Sequence, residues 1–514
     1  MSKFFKGTII LLIAGFITRV LGFINRIVIA RFIGEDGVGL YMMVYPTMIL
    51  VVTITQLGLP VAISKNVAEA EAAGNLAKIK SILIVSLSIT LGLTILFTPL
   101  LFLLAPYLSQ TLFTDERTLL PLLAITPIIP IIAISSVLRG YFQGRQNMKP
   151  SAISQVIEQV VRIALIAVLT KAFLPYGIEY AASGAMLASV LGELASLVFL
   201  LTFFKWKKSF RLRKKFFQYV HKGKDTFQEL MQVALPTTGS RMIGSIAWFI
   251  EPIVVAHSLA LAGISAINAT KQYGVLTGFA LPLLMLPSFF TQSISTSLVP
   301  AISEARANNH VKTIDHLLQQ ALKFTFLTGG LAIVVLYVLA EPLMNVMYGS
   351  PKGTSFILMM APFFILNYYQ GPLQATLQAL NLARAAMINS FIGAAVKTTL
   401  IFVLASRPEF GIYGVAIALI VGFVLVTILH FATILKAISF SVKILDYVKM
   451  IIIILFTGYL GITLMKVLAF SSLLSKIIII TSIVTIIYIA LTFLLRLVSR
   501  KELSKIPWIG SFFS

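Results

Sequence analysis

The sequence predicts an all-α, polytopic membrane protein with about fourteen transmembrane helices. Of its 514 residues, 58% are hydrophobic and only 11% are charged, whereas soluble domains are roughly 25% charged. Apolar runs of about 20 residues recur along the whole chain, and each can cross a hydrocarbon core about 30 Å thick. Lysine and arginine are concentrated in alternate loops, which is typical of a chain that crosses a membrane repeatedly.

The apolar runs define the predicted spans. The first run follows two lysines, as in a signal peptide, but it is too long and lacks a small-x-small cleavage site, so we expect a retained helix. A turn is expected at Gly34-Glu35-Asp36-Gly37, a break of span 2 at Gly58-Leu59-Pro60, and the start of span 5 at Pro150. Spans 1 to 14 are predicted at about 7–33, 40–64, 81–105, 119–138, from 150, 180–204, 231–260, 275–300, 323–343, 355–380, 387–405, 412–435, 450–470 and 477–497.

Basic residues are distributed asymmetrically. The chain holds 41 Lys and Arg against 18 Asp and Glu, a net charge of +23. About 28 of them fall in one set of alternate loops and tails, about 5 in the other set and about 8 inside spans, so the positive-inside rule makes the basic side and both termini cytoplasmic. Residues 205–224 between two hydrophobic halves are especially basic, which suits a linker that contacts anionic headgroups rather than a nucleic-acid site.

The composition excludes several chemistries. There is no cysteine, so disulfides, thiolate metal sites and cysteine nucleophiles are excluded. Five histidines occur, but neither H-E-x-x-H nor G-x-x-x-x-G-K-[ST] is present. The sequence therefore predicts no metal, no cofactor and no enzymatic activity.

Span 1 contains three arginines. A charge at the middle of a membrane helix costs about 2.5–3.5 kcal/mol on insertion scales, so it must face protein, water or an anionic ligand. Arg19 and Arg26 are nearly two turns apart and share one face, while Arg31 can extend to the membrane interface. The shared face also holds Gly15, Thr18, Gly22 and Asn25. We expect this small, polar, cationic stripe to line a cavity; the alternative is that both arginines pair with buried carboxylates.

Polar residues recur at helical spacing on three other spans. Glu158 and Arg162 on span 5 are an i,i+4 pair in the favourable order, which lowers the cost of burying both. We interpret this pair as structural, with cavity lining as the alternative. Span 7 contains Arg241 and Glu251. The clearest polar stripe is on span 10 and comprises Asn367, Gly371, Gln374, Gln378 and Asn381. Spans 13 and 14 have almost no polar face and are expected to face lipid.

Three segments carry a resemblance to a known family: IARFIGEDGVGLY (29–41), LGLPVAISKNVAEA (57–70) and LRGYFQG (138–144). They resemble the polysaccharide and lipid-linked-oligosaccharide exporters of the multidrug/oligosaccharidyl-lipid/polysaccharide (MOP) superfamily. Residues 138–163 and 173–186 are similar to its sporulation branch in endospore formers. The resemblance implies alternating access and a role in spore cortex peptidoglycan synthesis.

The same resemblance implies an architecture. Two six-helix bundles related by pseudo-twofold symmetry, residues 1–204 and 231–436, would face each other across a central cavity. Residues 205–230 would form the basic cytoplasmic linker, and 437–514 would add two further spans and a basic tail. The lipid II flippases of the superfamily share the S/T-R-V-L-G-F core, which places Arg19 on a cavity arginine. They have Arg-Asp where this chain has Asn25-Arg26, and the nearest cation to their cavity arginine of helix 8 is Lys271.

Together these features predict a flippase for an undecaprenyl-pyrophosphate-linked cell-wall precursor, similar to lipid II, in the membranes of a sporulating bacterium. Arg19, Arg26 and Arg241 would bind the diphosphate through bidentate hydrogen bonds, while the prenyl tail stays in lipid along spans 13 and 14. The two bundles would rock about a midplane site. The other predicted cavity residues are Asn25, Glu158, Arg162, Glu251, Asn367, Gln374 and Gln378. Expected partners are membrane lipids and sporulation cell-wall synthesis proteins.

Three alternatives stay open. A drug/cation antiporter of the same superfamily would need an acidic cavity, whereas the charges on span 1 are basic. A membrane-embedded glycosyltransferase or polymerase would need catalytic carboxylates or a metal site, and the adjacent acidic pair Glu35-Asp36 is explained by a turn. The sequence does not exclude a non-transporting assembly factor of the sporulation machinery.

Overall fold

A computed structural model of the chain describes residues 3–207, 219, 221, 223–441, 443–468 and 472–498. Every regular element in these residues is helical. The α-helices are α1 (Lys3–Gln56), α2 (Leu59–Ala72), α3 (Leu76–Tyr107), α4 (Leu119–Ile125), α5 (Ile128–Gly144), α6 (Lys149–Phe173), α7 (Ile178–Lys207), α8 (Lys224–Leu261), α9 (Ala266–Gly274), α10 (Leu281–Met285), α11 (Ser288–Ala307), α12 (Val311–Val338), α13 (Ala340–Tyr348), α14 (Thr354–Ala379), α15 (Ala383–Ala405), α16 (Gly411–Ala437), α17 (Ile444–Val467) and α18 (Leu473–Leu494).

The helices confirm a polytopic all-α membrane protein. Within the described residues, eleven segments are long and apolar enough to cross a membrane, and a bent pair makes up to twelve. The first segment, Ile13–Ala72, has 60 residues, about 90 Å of helix, which is long enough for two crossings. The predicted count of fourteen is compatible with these segments, although they do not fix that number.

The helix breaks near the start of the chain lie at or next to glycines. Gly34 interrupts α1 with φ 61 and ψ −167, so the predicted four-residue turn is reduced to one non-helical residue. The predicted break of span 2 is confirmed: Leu57 and Gly58 have positive φ, and α2 restarts at Leu59 with Pro60 in its first turn. Glycine takes this left-handed conformation without steric cost.

Two predicted spans are interrupted, and one of them is bent, which the apolar pattern did not indicate. Span 4 consists of α4 and α5, which meet at Pro127. Span 8 consists of Ala266–Met285 and Ser288–Ala307, bent by 55° around Pro287. A proline removes a backbone donor and clashes with the preceding turn, so the helix kinks there.

Several helices begin earlier than predicted. Their observed starts include Lys224, Val311, Ile444 and Leu473, against predicted starts of about 231, 323, 450 and 477. The first turns of α8 and α17 carry acidic residues, which interact favourably with the positive end of a helix. A boundary drawn by hydrophobicity leaves such polar turns out.

The described residues form two compact units. The first lies within Met1–Gly278 together with Ile401–Ile412, and the second within Phe279–Leu400 together with Tyr413–Ser514. The core of the first unit joins α2, α3, α5, α7 and α8. In the second unit, α12 packs on α14 and α17, and the Tyr488 hydroxyl of α18 donates a hydrogen bond to the Leu327 carbonyl of α12 at 2.9 Å. The predicted bundle boundaries at 204 and 231 stay a prediction.

Candidate functional site

The first half of α1 contains the predicted stripe, which has open space beside two of its glycines. Arg19 is exposed, Arg26 is half-buried and Asn25 is buried. A Cβ added at Gly15 or Gly22 would meet no atom within 4 Å, so these glycines leave the space in front of the arginines clear.

The second half of α1 is tightly packed instead. A Cβ at Gly39 would overlap the carbonyl oxygen of Thr270 on α9 and lie 2.8 Å from its carbonyl carbon. The two glycine-containing halves therefore serve different purposes. One half leaves room in front of a polar stripe, and the other lets two helix backbones touch.

The two arginines of the stripe have no anionic partner in the described part of the chain. Neither Arg19 nor Arg26 makes an ion pair or a side-chain hydrogen bond with a described residue. The buried Oδ1 atom of Asn25 also lacks a hydrogen-bond donor there. Leaving a buried polar atom unpaired costs about 1–3 kcal/mol, so this corner of α1 can bind a ligand that brings both an anion and a hydroxyl or amide donor.

A second set of charges lies among α5, α6 and α7, and here every charge is matched. One Nη atom of Arg139 lies 3.4 Å from a Glu158 oxygen, 3.1 Å from a Glu193 oxygen and 2.9 Å from the Ser196 hydroxyl. The other Glu158 oxygen pairs with Arg162. Two guanidinium groups thus offset two carboxylates, which is the condition for keeping such charges away from water.

The network lies next to α1 through Tyr41. The Tyr41 hydroxyl is hydrogen-bonded to Ser189 of α7 and lies within electrostatic range of both Arg162 and Arg26. The structure therefore brings the predicted residues of α1 and α6 close to one tyrosine. The i,i+4 pairing of Glu158 with Arg162 is present, whereas the partners Arg139 and Glu193 were not selected from the sequence. The signal for Glu193 was an ionisable residue inside an apolar span.

The predicted residues of α8 lie far apart on that helix. Arg241 is exposed. Glu251, ten residues or about 15 Å along the helix, is 5% exposed and accepts a 3.4 Å hydrogen bond from the Tyr273 hydroxyl. This contact ties α8 to the last turn of α9.

The second unit contains the predicted stripe of α14. Asn367 is half-buried, while Gln374 and Gln378 are exposed one turn apart on the same face. None of the three side chains is hydrogen-bonded to another described residue. Gly371 has a packing role instead, because a Cβ there would lie 2.7 Å from the Ser295 hydroxyl of α11.

A third set of charges surrounds the Gly34 break, and the sequence did not reveal it as a cluster. Lys271 lies 3.1 Å from Glu35 and 3.9 Å from Asp36. Asp115 accepts hydrogen bonds from Arg117 at 2.8 Å and from the Thr270 hydroxyl at 2.7 Å. Burial alone would raise the pKa of the Asp115 carboxyl, but these hydrogen bonds hold that pKa below its ordinary value. The acidic pair Glu35-Asp36 is thus engaged in fixing α1 to α9.

Comparison with known families and proteins gives consistent matches. The profile of the family described as "Polysaccharide biosynthesis protein" matches residues 4–306, and the MatE profile matches residues 276–403. Stage V sporulation protein B of Bacillus subtilis (strain 168) is 57% identical over 512 residues, which are 99% of this chain and 98% of that protein. Lipid II flippase MurJ of the same organism is 25% identical over 467 residues, covering 86% of this chain and 85% of that protein.

A solved structure supports the fold. Lipid II flippase MurJ in an inward closed conformation superimposes with a TM-score of 0.70 at 16% identity, covering 95% of this chain and 99% of that one. At this level of identity the likeness concerns the fold, and it agrees with the helical architecture described above.

Proposed function

This chain belongs to the polysaccharide biosynthesis protein family of the MOP superfamily, and on that premise we propose that it is a flippase for an undecaprenyl-pyrophosphate-linked peptidoglycan precursor. The flipped lipid would supply synthesis of the spore cortex. The names of the sporulation relative and of the lipid II flippase support this assignment. The proposed location is the membrane of a sporulating cell, with both termini in the cytoplasm.

The physical requirements of moving this lipid across the membrane explain the types of residue assigned to the cavity. A diphosphate and its sugar–peptide headgroup are polar and cannot cross hydrocarbon unaided, so the transporter must replace their lost water. Arginine does so through a planar fork of donors that bonds two phosphate oxygens in parallel. We assign the diphosphate to Arg19, with Arg26 and Arg241 as further cations, and the headgroup to Asn25, Asn367, Gln374 and Gln378. The buried Glu158, Arg162 and Glu251 would shape the cavity rather than bind the phosphates.

One observation carries the proposal: α1 holds two arginines, Arg19 exposed and Arg26 half-buried, without a described carboxylate to neutralise them. A structural arginine in a membrane protein is expected to be paired, as Arg139 and Arg162 are. An unpaired one is explained by an anion that arrives with the substrate. A transporter of cationic drugs would require the opposite sign on this helix.

The test is flipping of a fluorescent lipid II analogue by the reconstituted full-length protein, measured as accessibility to a membrane-impermeant quencher. We expect Arg19→Ala to abolish flipping and Arg19→Lys to restore it only in part, because lysine supplies the charge without the fork. Arg31→Ala is the matched control, since Arg31 lies on the same helix but about 120° away from Arg19, and it should flip normally.

Three results would contradict the proposal. The first is a wild-type protein that flips no lipid precursor in liposomes, which favours an assembly factor. The second is equal flipping by Arg19→Ala and wild type. The third is transport of a cationic dye that continues unchanged in Arg19→Ala, which favours the antiporter.

A further inference from the structure

Three aromatic side chains of the first unit form a row from α1 to α8. Tyr41 and Tyr45 are stacked, with ring centroids 5.5 Å apart and ring planes 20° apart. Trp248 of α8 meets Tyr45 at 5.8 Å and 67°, which is an edge-to-face contact. Burial decreases along the row: Tyr41 is buried, Tyr45 is half-buried and Trp248 is 37% exposed. The aromatic row therefore ends in an indole that a ligand can reach.

The exposed residues of α8 around Trp248 fall on two opposite faces. Arg241, Gly244 and Trp248 lie within about 60° of one another around the helix axis. Ile246 and Ile250 are exposed on the other side, and such an apolar face suits lipid chains. Because a charge in contact with hydrocarbon is costly, the face with Arg241 and Trp248 is the one that suits a polar ligand. A Cβ added at Gly244 would meet no atom within 4 Å, so there is open space on this face.

The depth of Trp248 distinguishes it from an interfacial tryptophan. Tryptophans are enriched where a membrane helix meets the headgroups. Trp248 lies thirteen residues before the end of α8 at Leu261, which is about 20 Å of helix. Its position is therefore well inside the span, where anchoring at a headgroup does not explain an exposed indole.

The aromatic row lies close to the cations that we assign to the diphosphate. Tyr41 is within electrostatic range of Arg26. Arg241 precedes Trp248 by seven residues, about 10 Å along the same face of α8. A group that is attached to a diphosphate at these arginines can therefore reach the exposed indole.

An aromatic face beside a cation suits a sugar ring better than a hydrocarbon chain. The faces of a pyranose carry C–H bonds, whose partial positive charge is attracted to the negative face of an indole. Its hydroxyls project from the ring edge and can bind water or polar neighbours. A prenyl chain would also pack on the indole, but it would take water away from Arg241, and removing a charge from water without a partner is unfavourable.

We propose that Trp248 and Tyr45 form a stacking site for a sugar ring of the lipid-linked precursor, next to the diphosphate. This site rests on the function proposed above and adds to it a means of recognising the headgroup. Trp248 supplies the exposed face, and Tyr45, itself stacked on Tyr41, fixes the orientation of the indole. The site favours a precursor that carries sugar over the bare prenyl diphosphate.

Fluorescence of Trp248 gives a direct test, because the chain holds only three tryptophans. In the full-length protein with Trp206→Phe and Trp508→Phe, the tryptophan emission comes from Trp248. We expect lipid II and undecaprenyl-pyrophosphate-linked N-acetylglucosamine to change this emission, and undecaprenyl pyrophosphate to leave it unchanged. A response to lipid II alone would assign the indole to the peptide. An equal response to all three lipids would assign it to the diphosphate or the tail. Either result, or no response to any of them, would refute the sugar site.

Binding by variants gives a second readout. Trp248→Ala should bind lipid II about threefold to tenfold more weakly than wild type, with unchanged binding of undecaprenyl pyrophosphate. Trp248→Phe should restore most of the loss. Trp206→Ala is the matched control, because it removes an indole that is 78% exposed at the end of α7, and it should bind both lipids like wild type.

The outcomes separate the sugar site from the proposed function. If wild type flips lipid II and Trp248→Ala binds and flips it equally well, the sugar site is wrong and the function stands. An equal loss of affinity for both lipids in Trp248→Ala would show that the indole does not recognise sugar, which also refutes the site. A wild type that neither binds nor flips lipid II would overturn the proposed function and this site together.

Discussion

The arginines of α1 and those of the α5–α7 network lie in the same unit but are treated in opposite ways. Arg139 and Arg162 are surrounded by carboxylates, with side chains 18% and 13% exposed. Arg19 is exposed and has no carboxylate partner among the described residues. The difference separates two uses of charge inside a membrane protein. A charge that is paired with an opposite charge holds helices together, whereas a charge without such a partner is available to bind a ligand.

The largest expected effect comes from breaking the matched set. Arg139→Ala would leave Glu158 with one partner and Glu193 with none of its charged partners, and an uncompensated buried charge costs about 3–5 kcal/mol. We expect a large drop in the Tm of the purified protein. Arg19→Ala removes a charge with no described partner, so its Tm should stay at the wild-type value while flipping is lost. Equal destabilisation by the two variants would show that Arg19 and Arg139 do not differ in their contribution to stability.

The charges around the Gly34 break should give an intermediate effect. Asp115 is 4% exposed, but its partner Arg117 is half-buried, and hydrogen bonds to a charged group contribute about 1.5–3 kcal/mol. Asp115→Asn should lower the free energy of unfolding by an amount in that range. The measurement is chemical or thermal unfolding at neutral pH.

The same carboxylate predicts a pH dependence. Because its native pKa lies below its ordinary value, Asp115 stabilises the fold above about pH 3.9, and this contribution is lost as the pH falls through the native pKa. The Tm difference between wild type and Asp115→Asn should therefore be largest near neutral pH and shrink in acid. A constant difference down to the acid limit would assign the effect to packing instead.

Within the charges around the Gly34 break, the smallest effect is expected at Lys271, which is more exposed than Asp115. Lys271 has a side chain that is 35% exposed, and such pairs contribute about 0.2–1 kcal/mol. Lys271→Gln should lower the Tm slightly at low salt and not at all at high salt, since added ions screen exposed charges. A loss as large as that of Arg139→Ala would show that side-chain exposure does not rank the effects of Arg139, Asp115 and Lys271.

The sequence predicted what depends on local spacing. The Glu158–Arg162 pair follows from four residues of separation on one helix, and the break at Gly58 follows from a glycine–proline signal. Long-range partners could not be read in this way. The Asp115–Thr270 bond joins residues 155 positions apart, and the contact of Gly39 with Thr270 depends on how α1 meets α9. Such pairs are set by tertiary packing, which one sequence does not display.

The bend of span 8 was missed for a different reason. Its apolar pattern runs continuously through Pro282 and Pro287, so hydrophobicity alone indicated one straight helix. The stripe of span 10 shows the same limit, because spacing grouped Gly371 with the polar residues of α14 although its role is close packing against Ser295. Periodicity shows on which face of a helix a residue lies, but it does not show which element packs against that face.

The division of charges among α5, α6 and α7 has a consequence for biosynthesis. Helices enter the bilayer as the chain emerges, before their final neighbours are in place, and each charge carried in alone costs about 2.5–3.5 kcal/mol. Glu158 and Arg162 can neutralise each other within α6 from the moment that helix forms. Arg139 lies on α5, which is made before α6, and Glu193 lies on α7, which is made after it. The pair between them can form only when both helices are present. Within this network, Glu158–Arg162 is thus the pair that a single helix can form before α7 is made.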